Sequence, residues 1–208
     1  MERRFIQNKL ERAAGDLNPD GLPLKFGGVA AVVNSITDMG WYEERIEAGA
    51  FDDALKSSDL DCRCLFNHED EMILGRTTSG TLRLGIDGKG NLSYEYDADY
   101  RSPLHTQVAC AIERRDITQS SFAFTIETVE WGYSEKYGEM GLRTIKKIKK
   151  LYDVSPVTYP AYEDTEADSR SALKEERSKF SEPDKNVTAE KEKEMRNSLD
   201  LCKIIKTK

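Results

Sequence analysis

The strongest constraint on this chain's fold is a pair of period-two runs around a glycine-bearing turn. Thr81, Arg83 and Gly85 alternate with Leu82, Leu84 and Ile86. The segment Asp87-Gly88-Lys89-Gly90-Asn91 follows, and Leu92, Tyr94 and Tyr96 then alternate on the return. Successive side chains of a strand point to opposite faces, so two such runs about a glycine turn read as a β-hairpin.

The rest of the chain reads as further strands with little helix between them. Residues 24–33 (LKFGGVAAVV) fit a buried strand, with Gly27-Gly28 permitting a bulge or a close approach. Loop is expected over 34–40, a short strand over 43–46, a turn at Gly49 and a short helix over 50–56. A strand over 62–69 ends in polar residues. Ser102-Pro103 places an N-cap before a proline at the first helical position. The helix it opens puts Leu104, Val108, Ala109 and Ile112 on one face and ends near 113–116. A strand is expected over 117–131, a loop over 132–141 and one or two strands over 142–162. In that last segment Pro156 and Pro160 restrict the chain to an edge or exit path. The fold class is mainly β with peripheral helices. The strand spacing suggests a closed or partly closed β-barrel, a pattern that a sandwich shares.

Residues 1–20 are polar, end in the turn cluster Asn18-Pro19-Asp20-Gly21 and read as an N-terminal arm. Residues 21–167 are the expected folded domain. From about Thr165 the composition turns to Glu, Lys, Asp, Ser and Arg, which cannot bury enough apolar surface to fold alone. Residues 168–208 are therefore expected to be a disordered or conditionally helical charged tail. Within it, 195–205 regain apolar character and read as a docking segment or as the frayed tail end.

Net charge is −7, which argues against a nucleic-acid partner held mainly through phosphate contacts. The basic run IKKIKK at 145–150 reads as a solvated strand face or loop. No segment approaches the ~18 apolar residues of a membrane span. The first fifteen residues are charged and lack the apolar centre of a signal peptide. An intracellular protein without a membrane partner is expected. Of the four cysteines, Cys62 and Cys64 form a C-x-C without the second pair a zinc site would want. Buried, reduced thiols are expected.

The two histidines are His68 and His105. His68 follows a strand directly, where a rigid support can hold a functional ring. His105 lies in the first turn of the expected helix, whose dipole disfavours a cation there, so a neutral, partly exposed ring is expected. In Gln119-Ser120-Ser121-Phe122-Ala123-Phe124, strand parity puts Ser120 on the face of Phe122 and Phe124. Ser121 shares its face with the small Ala123 and Thr125, which leaves room for a substrate backbone. A serine hydroxyl needs a base to take its proton, and that base is best oriented by a third group. Asp153 is the preferred orienter, because an unpaired carboxylate within an apolar strand would be expensive. Glu69 and Asp70 are alternatives that need a turn to reach the ring. A cysteine nucleophile, Cys64 or Cys110 with His68, is a rival. Cys64 would lie about 13 Å from His68 on one extended strand, too far for proton transfer.

Five segments together resemble the prohead (capsid maturation) protease family of tailed bacteriophages. They are Phe26–Ala31, Ile46–Asp52, Phe66-Asn67-His68 through Leu74-Gly75-Arg76-Thr77, Asp116–Phe124 and Leu151–Tyr162. The resemblance spans about residues 24–167 and rests on their order and spacing. It implies a fold similar to herpesvirus assemblin and a serine endopeptidase whose histidine falls on His68, serine on Ser121 and acid on Asp153. Gln119 and Ala123 stand where the family's pattern usually has glycine.

The resemblance further implies acyl transfer without a cofactor or metal, with the oxyanion held by backbone amides or by a water on Arg114 or Arg115. The implied substrates are scaffold or the scaffolding segment of the major capsid protein, with the protease commonly cutting itself. The implied setting is the assembling procapsid in the host cytoplasm, as a homodimer, a higher oligomer or capsid-bound copies. The rival outside enzymology is a non-catalytic capsid assembly or scaffolding protein.

Overall fold

A computed structural model describes residues 1–6, 11–12, 17–18 and 21–159. The expected tail over 168–208, its docking segment over 195–205, and residues 160–162 lie outside the described residues. Among the described residues the elements run β1 (Glu2–Ile6), β2 (Glu11–Arg12), β3 (Lys25–Ala31), β4 (Thr37–Asp38) and β5 (Glu43–Ile46). Then come α1 (Asp52–Lys56), β6 (Arg63–Leu65), β7 (Ile73–Arg76), β8 (Leu82–Ile86) and β9 (Leu92–Asp97). α2 (Pro103–Glu113), β10 (Gln119–Ser134) and β11 (Gly138–Val157) complete the order. No helix of these residues is long and apolar enough to cross a membrane.

The strands form two sheets. One has four strands in the order β2-β3-β9-β8. The other has seven, in the order β1-β10-β11-β5-β4, with β6 paired to β11 and β7 paired to β6. The hairpin forms in the expected register, with Leu82 opposite Tyr96, Leu84 opposite Tyr94 and Ile86 opposite Leu92. Its partner β3 approaches closely at Gly27, where an added Cβ would lie 2.2 Å from the Tyr94 carbonyl oxygen. A single core joins the two sheets: Phe26, Tyr94 and Tyr96 from one, Phe122, Phe124, Ile145 and Ile148 from the other. Phe51 and the α2 residues Val108, Ala109 and Ile112 close it. Each large apolar side chain so buried contributes on the order of 1.5–3 kcal/mol.

The structure corrects the expected loop over 132–141. β10 and β11 extend into that segment as one long antiparallel hairpin, with Gly132 opposite Leu142 and Ser134 opposite Gly138. The turn shrinks to Glu135–Tyr137, and Gly138 takes the left-handed conformation (φ 74°) that lets the strand restart. Five register shifts run along this hairpin. Bulges of this kind bend and twist strands, and they explain why Ile145 and Ile148, three residues apart, are both buried. The intervening lysines are paired: Lys146 with Glu47 and Glu130, Lys147 with Asp53 and Glu127. Lys149 and Lys150 are exposed, so the basic run is part of a strand, with two lysines paired and two facing solvent. At the other end of the chain, the segment read as a polar arm contributes β1, an added strand along β10.

Candidate active site

The site is built on the two central strands and the turn after β6. In the β10–β11 register Ser121 lies opposite Ser155, and Ala123 lies opposite Asp153. Alternation therefore puts Ser121, Ser155 and Asp153 on one face. β6 runs parallel to β11 with Arg63 opposite Asp153, which delivers the chain after Leu65 to the same face.

That chain then turns sharply. Asn67 and His68 both adopt left-handed backbone, with φ of 56° and 60°. Such residues are uncommon outside glycine, and the conformation costs roughly 1–3 kcal/mol where the surroundings must enforce it. Here the end of β11 enforces it. The Asn67 amide donates to the Pro156 carbonyl at 3.1 Å. The Asn67 side-chain oxygen accepts from the Thr158 amide at 2.8 Å and the Thr158 hydroxyl at 2.9 Å.

The turn drops the His68 ring between the two strand residues. Nδ1 lies 2.6 Å from Asp153 Oδ1, and Nε2 lies 2.6 Å from Ser121 Oγ. All three side chains are buried. A carboxylate at Nδ1 selects the tautomer that carries its proton there, leaving Nε2 to accept the serine proton. Ser155 Oγ donates to the same Asp153 oxygen at 2.6 Å, so the carboxylate is held from two sides. Ser121 Oγ also lies 2.9 Å from the backbone carbonyl oxygen of Arg4 on β1.

Thus His68, Ser121 and Asp153, spread over 85 residues of sequence, meet at hydrogen-bond distance. Ser120 takes the opposite face, where its hydroxyl meets the Tyr94 hydroxyl at 2.8 Å in the core. Glu69 and Asp70 are exposed and do not take the orienting position. His105 accepts the Asp99 amide at Nδ1 (2.9 Å) and packs edge-on against Tyr96, a structural role for a half-buried ring. Arg114 pairs with Asp116 and, like Arg115, is exposed. The cysteine rival loses its premise: both ring nitrogens of His68 face other partners. Burial pushes the Cys62 and Cys64 thiols well above their ordinary range.

Sequence reasoning did not single out Ser155, Asn67 or Arg4. Ser155 was findable, because alternation from Asp153 puts it on the same face. Asn67 carried a weak signal as a residue type that tolerates left-handed backbone. Nothing in the sequence marked Arg4. Gln119 shares the face of Ser121, and its side-chain oxygen is buried without a hydrogen-bond partner.

A family model described as the caudovirus prohead serine protease matches residues 10–181. No curated protein and no solved structure matches the chain.

Proposed function

The chain belongs to the caudovirus prohead serine protease family, and from that premise we propose that Ser121, His68 and Asp153 are its catalytic triad. The observation that carries this reading is the His68 ring, 2.6 Å from both the hydroxyl and the carboxylate. A strained turn and a buried carboxylate held by Ser155 are costly features. They suit a protease and have no use in a non-catalytic assembly protein.

In the proposed reaction Ser121 Oγ attacks the scissile carbonyl while His68 Nε2 takes the hydroxyl proton. Asp153 fixes the ring and stabilises the imidazolium that forms. The imidazolium then protonates the departing amine, and the C–N bond breaks to leave an ester on Ser121. Water enters, gives a proton to His68 and attacks the ester, releasing the acid and restoring the hydroxyl. No cofactor is required by this sequence of steps.

The proposed substrates are scaffold or the scaffolding segment of the major capsid protein, together with the chain itself. The proposed setting is the procapsid in the host cell, with the protease as a homodimer, a higher oligomer or capsid-bound copies. In this reading the protease domain takes in 21–167 together with the strands β1 and β2 of the expected arm, and the charged tail 168–208 docks the enzyme or is trimmed off. A fluorophosphonate probe tests the triad directly. Peptide mapping should place one adduct on Ser121. The adduct should be absent in Ser121→Ala and slowed about a thousandfold or more in His68→Ala. An adduct on another residue, or labelling that survives in Ser121→Ala, would remove Ser121 from the mechanism.

A further inference from the structure

The edge of β10 that carries Ser121 is covered by the chain's own N-terminus. β1 pairs antiparallel with it from Glu2 opposite Phe124 to Ile6 opposite Ser120, with Phe5 opposite Ser121. Ser121 is fully buried. Its hydroxyl has one proton and two neighbours that can accept it, His68 Nε2 and the Arg4 carbonyl oxygen. When Arg4 takes that hydrogen bond, the proton is off the path to the base. β1 therefore covers the nucleophile and competes for its proton.

Parity separates what happens on the two faces. Ser121 stands over one face of the sheet beside His68. Arg4, opposite Phe122, projects its side chain from the other. There its guanidinium lies 5.9 Å from the centre of the Phe124 ring and binds both oxygens of Glu44, with Nη2 at 2.8 Å from Oε2. Glu44 is 4% exposed and also accepts from Arg143 Nη1 at 2.9 Å. Glu2 completes the cluster, 2.7 Å from Arg4 and 3.0 Å from Arg143. β1 thus presents an acid and, two residues later, a base to a buried acid–base pair. The carbonyl of the basic residue is the one that meets Ser121 Oγ. This resembles a strand-bound substrate: backbone pairing for affinity, one pocket for a side chain and the nucleophile at hydrogen-bond distance from a backbone carbonyl.

We propose that β1 is a resident substrate mimic. Substrates bind by replacing it as an antiparallel strand on β10, and Glu44 selects arginine or lysine as the residue whose carbonyl Ser121 attacks. An acidic residue two positions earlier takes the place of Glu2 against Arg143. The inference rests on Ser121 being the nucleophile. The bond that breaks joins the basic residue's carbonyl carbon to the next residue's nitrogen, and that nitrogen leaves with the proton passed through His68.

The full chain, Arg4→Ala and Glu44→Gln are compared with two fluorogenic peptides, acetyl-Glu-Arg-Arg-aminomethylcoumarin and its acetyl-Glu-Arg-Leu counterpart, and with the fluorophosphonate probe. Circular dichroism reports whether each variant folds. Probe labelling of Ser121 should be about tenfold faster in Arg4→Ala than in the native chain, the size expected when charge-assisted hydrogen bonds are removed. The arginyl peptide should be cut about tenfold or more faster than the leucyl one in kcat/KM, and Glu44→Gln should move that ratio toward one. If Glu44→Gln does not fold, the ratio in the native chain and in Arg4→Ala still decides. Equal rates for the two peptides, or no gain in labelling from Arg4→Ala, would overturn the proposal while leaving the triad standing. Labelling that survives in Ser121→Ala would bring down the triad, and this inference with it.

Discussion

Ser155 Oγ and His68 Nδ1 meet the same oxygen of Asp153, each at 2.6 Å. A carboxylate gripped this way cannot swing without losing one of the two bonds, so the orientation of the ring depends on the serine that lies opposite Ser121 in the β10–β11 register.

Ser155 is accordingly expected to act as a positioning residue. Ser155→Ala should fold normally and lose about tenfold or more in kcat, in line with a hydrogen bond to a charged group. KM should change little. Ser155→Thr should restore most of the rate. Steady-state kinetics on the peptide substrate checks this. A purely structural role would lower stability without splitting kcat from KM, and threonine would restore stability alone.

Asn67 is expected to matter through backbone geometry. Asn67→Ala removes the acceptor for the amide and hydroxyl of Thr158 and puts a less tolerant residue at φ 56°. A loss of about 2 kcal/mol in unfolding free energy should follow, with kcat falling more than stability explains. Asn67→Gly should recover the backbone cost and not the activity. Denaturant melts together with kcat separate these contributions.

The close approach of β3 and β9 gives a sharper stability test. A methyl at Gly27 would lie 2.2 Å from the Tyr94 carbonyl oxygen, so one strand must move. Gly27→Ala should cost about 3 kcal/mol, the upper part of the usual range for overpacking. A shift in denaturation midpoint without a change in slope would show that the native packing was hit.

The cluster around Glu44 should make stability acid-sensitive. Burial alone would push this carboxyl up, but Arg4 and Arg143 outweigh it and hold it below the ordinary value of 4.5. A depressed carboxyl contributes stability that is present above the unfolded value and lost as pH falls through the folded one. The difference in melting temperature between the native chain and Glu44→Gln should therefore be constant from pH 7 to about 5 and shrink as pH drops below about 4. A difference that persists unchanged at lower pH would contradict the account.

Much of this architecture was legible in the sequence because its signals are local. The 81–96 alternation fixed a hairpin, and parity in Gln119–Phe124 separated Ser120, which points into the core, from Ser121, which meets His68. Other features were illegible because they arise from distant pairing. The extent of β10 and β11 depends on each strand finding the other, and residues 132–141 carry turn-forming glycines that masked it. β1 is short and charged, and only its pairing with β10 and the buried carboxylate of Glu44 give it a reason to be a strand. The strain at His68 is likewise invisible in sequence, since it is imposed by the end of β11.

The most direct test of the central reading is co-expression of the chain with its major capsid protein, native against Ser121→Ala, followed by intact mass measurement of both proteins. The account predicts that the native chain shortens the capsid protein or itself at defined masses and that Ser121→Ala leaves both at full length. Equal shortening by the two would contradict the assignment of Ser121, and full-length proteins in both would contradict the protease reading itself.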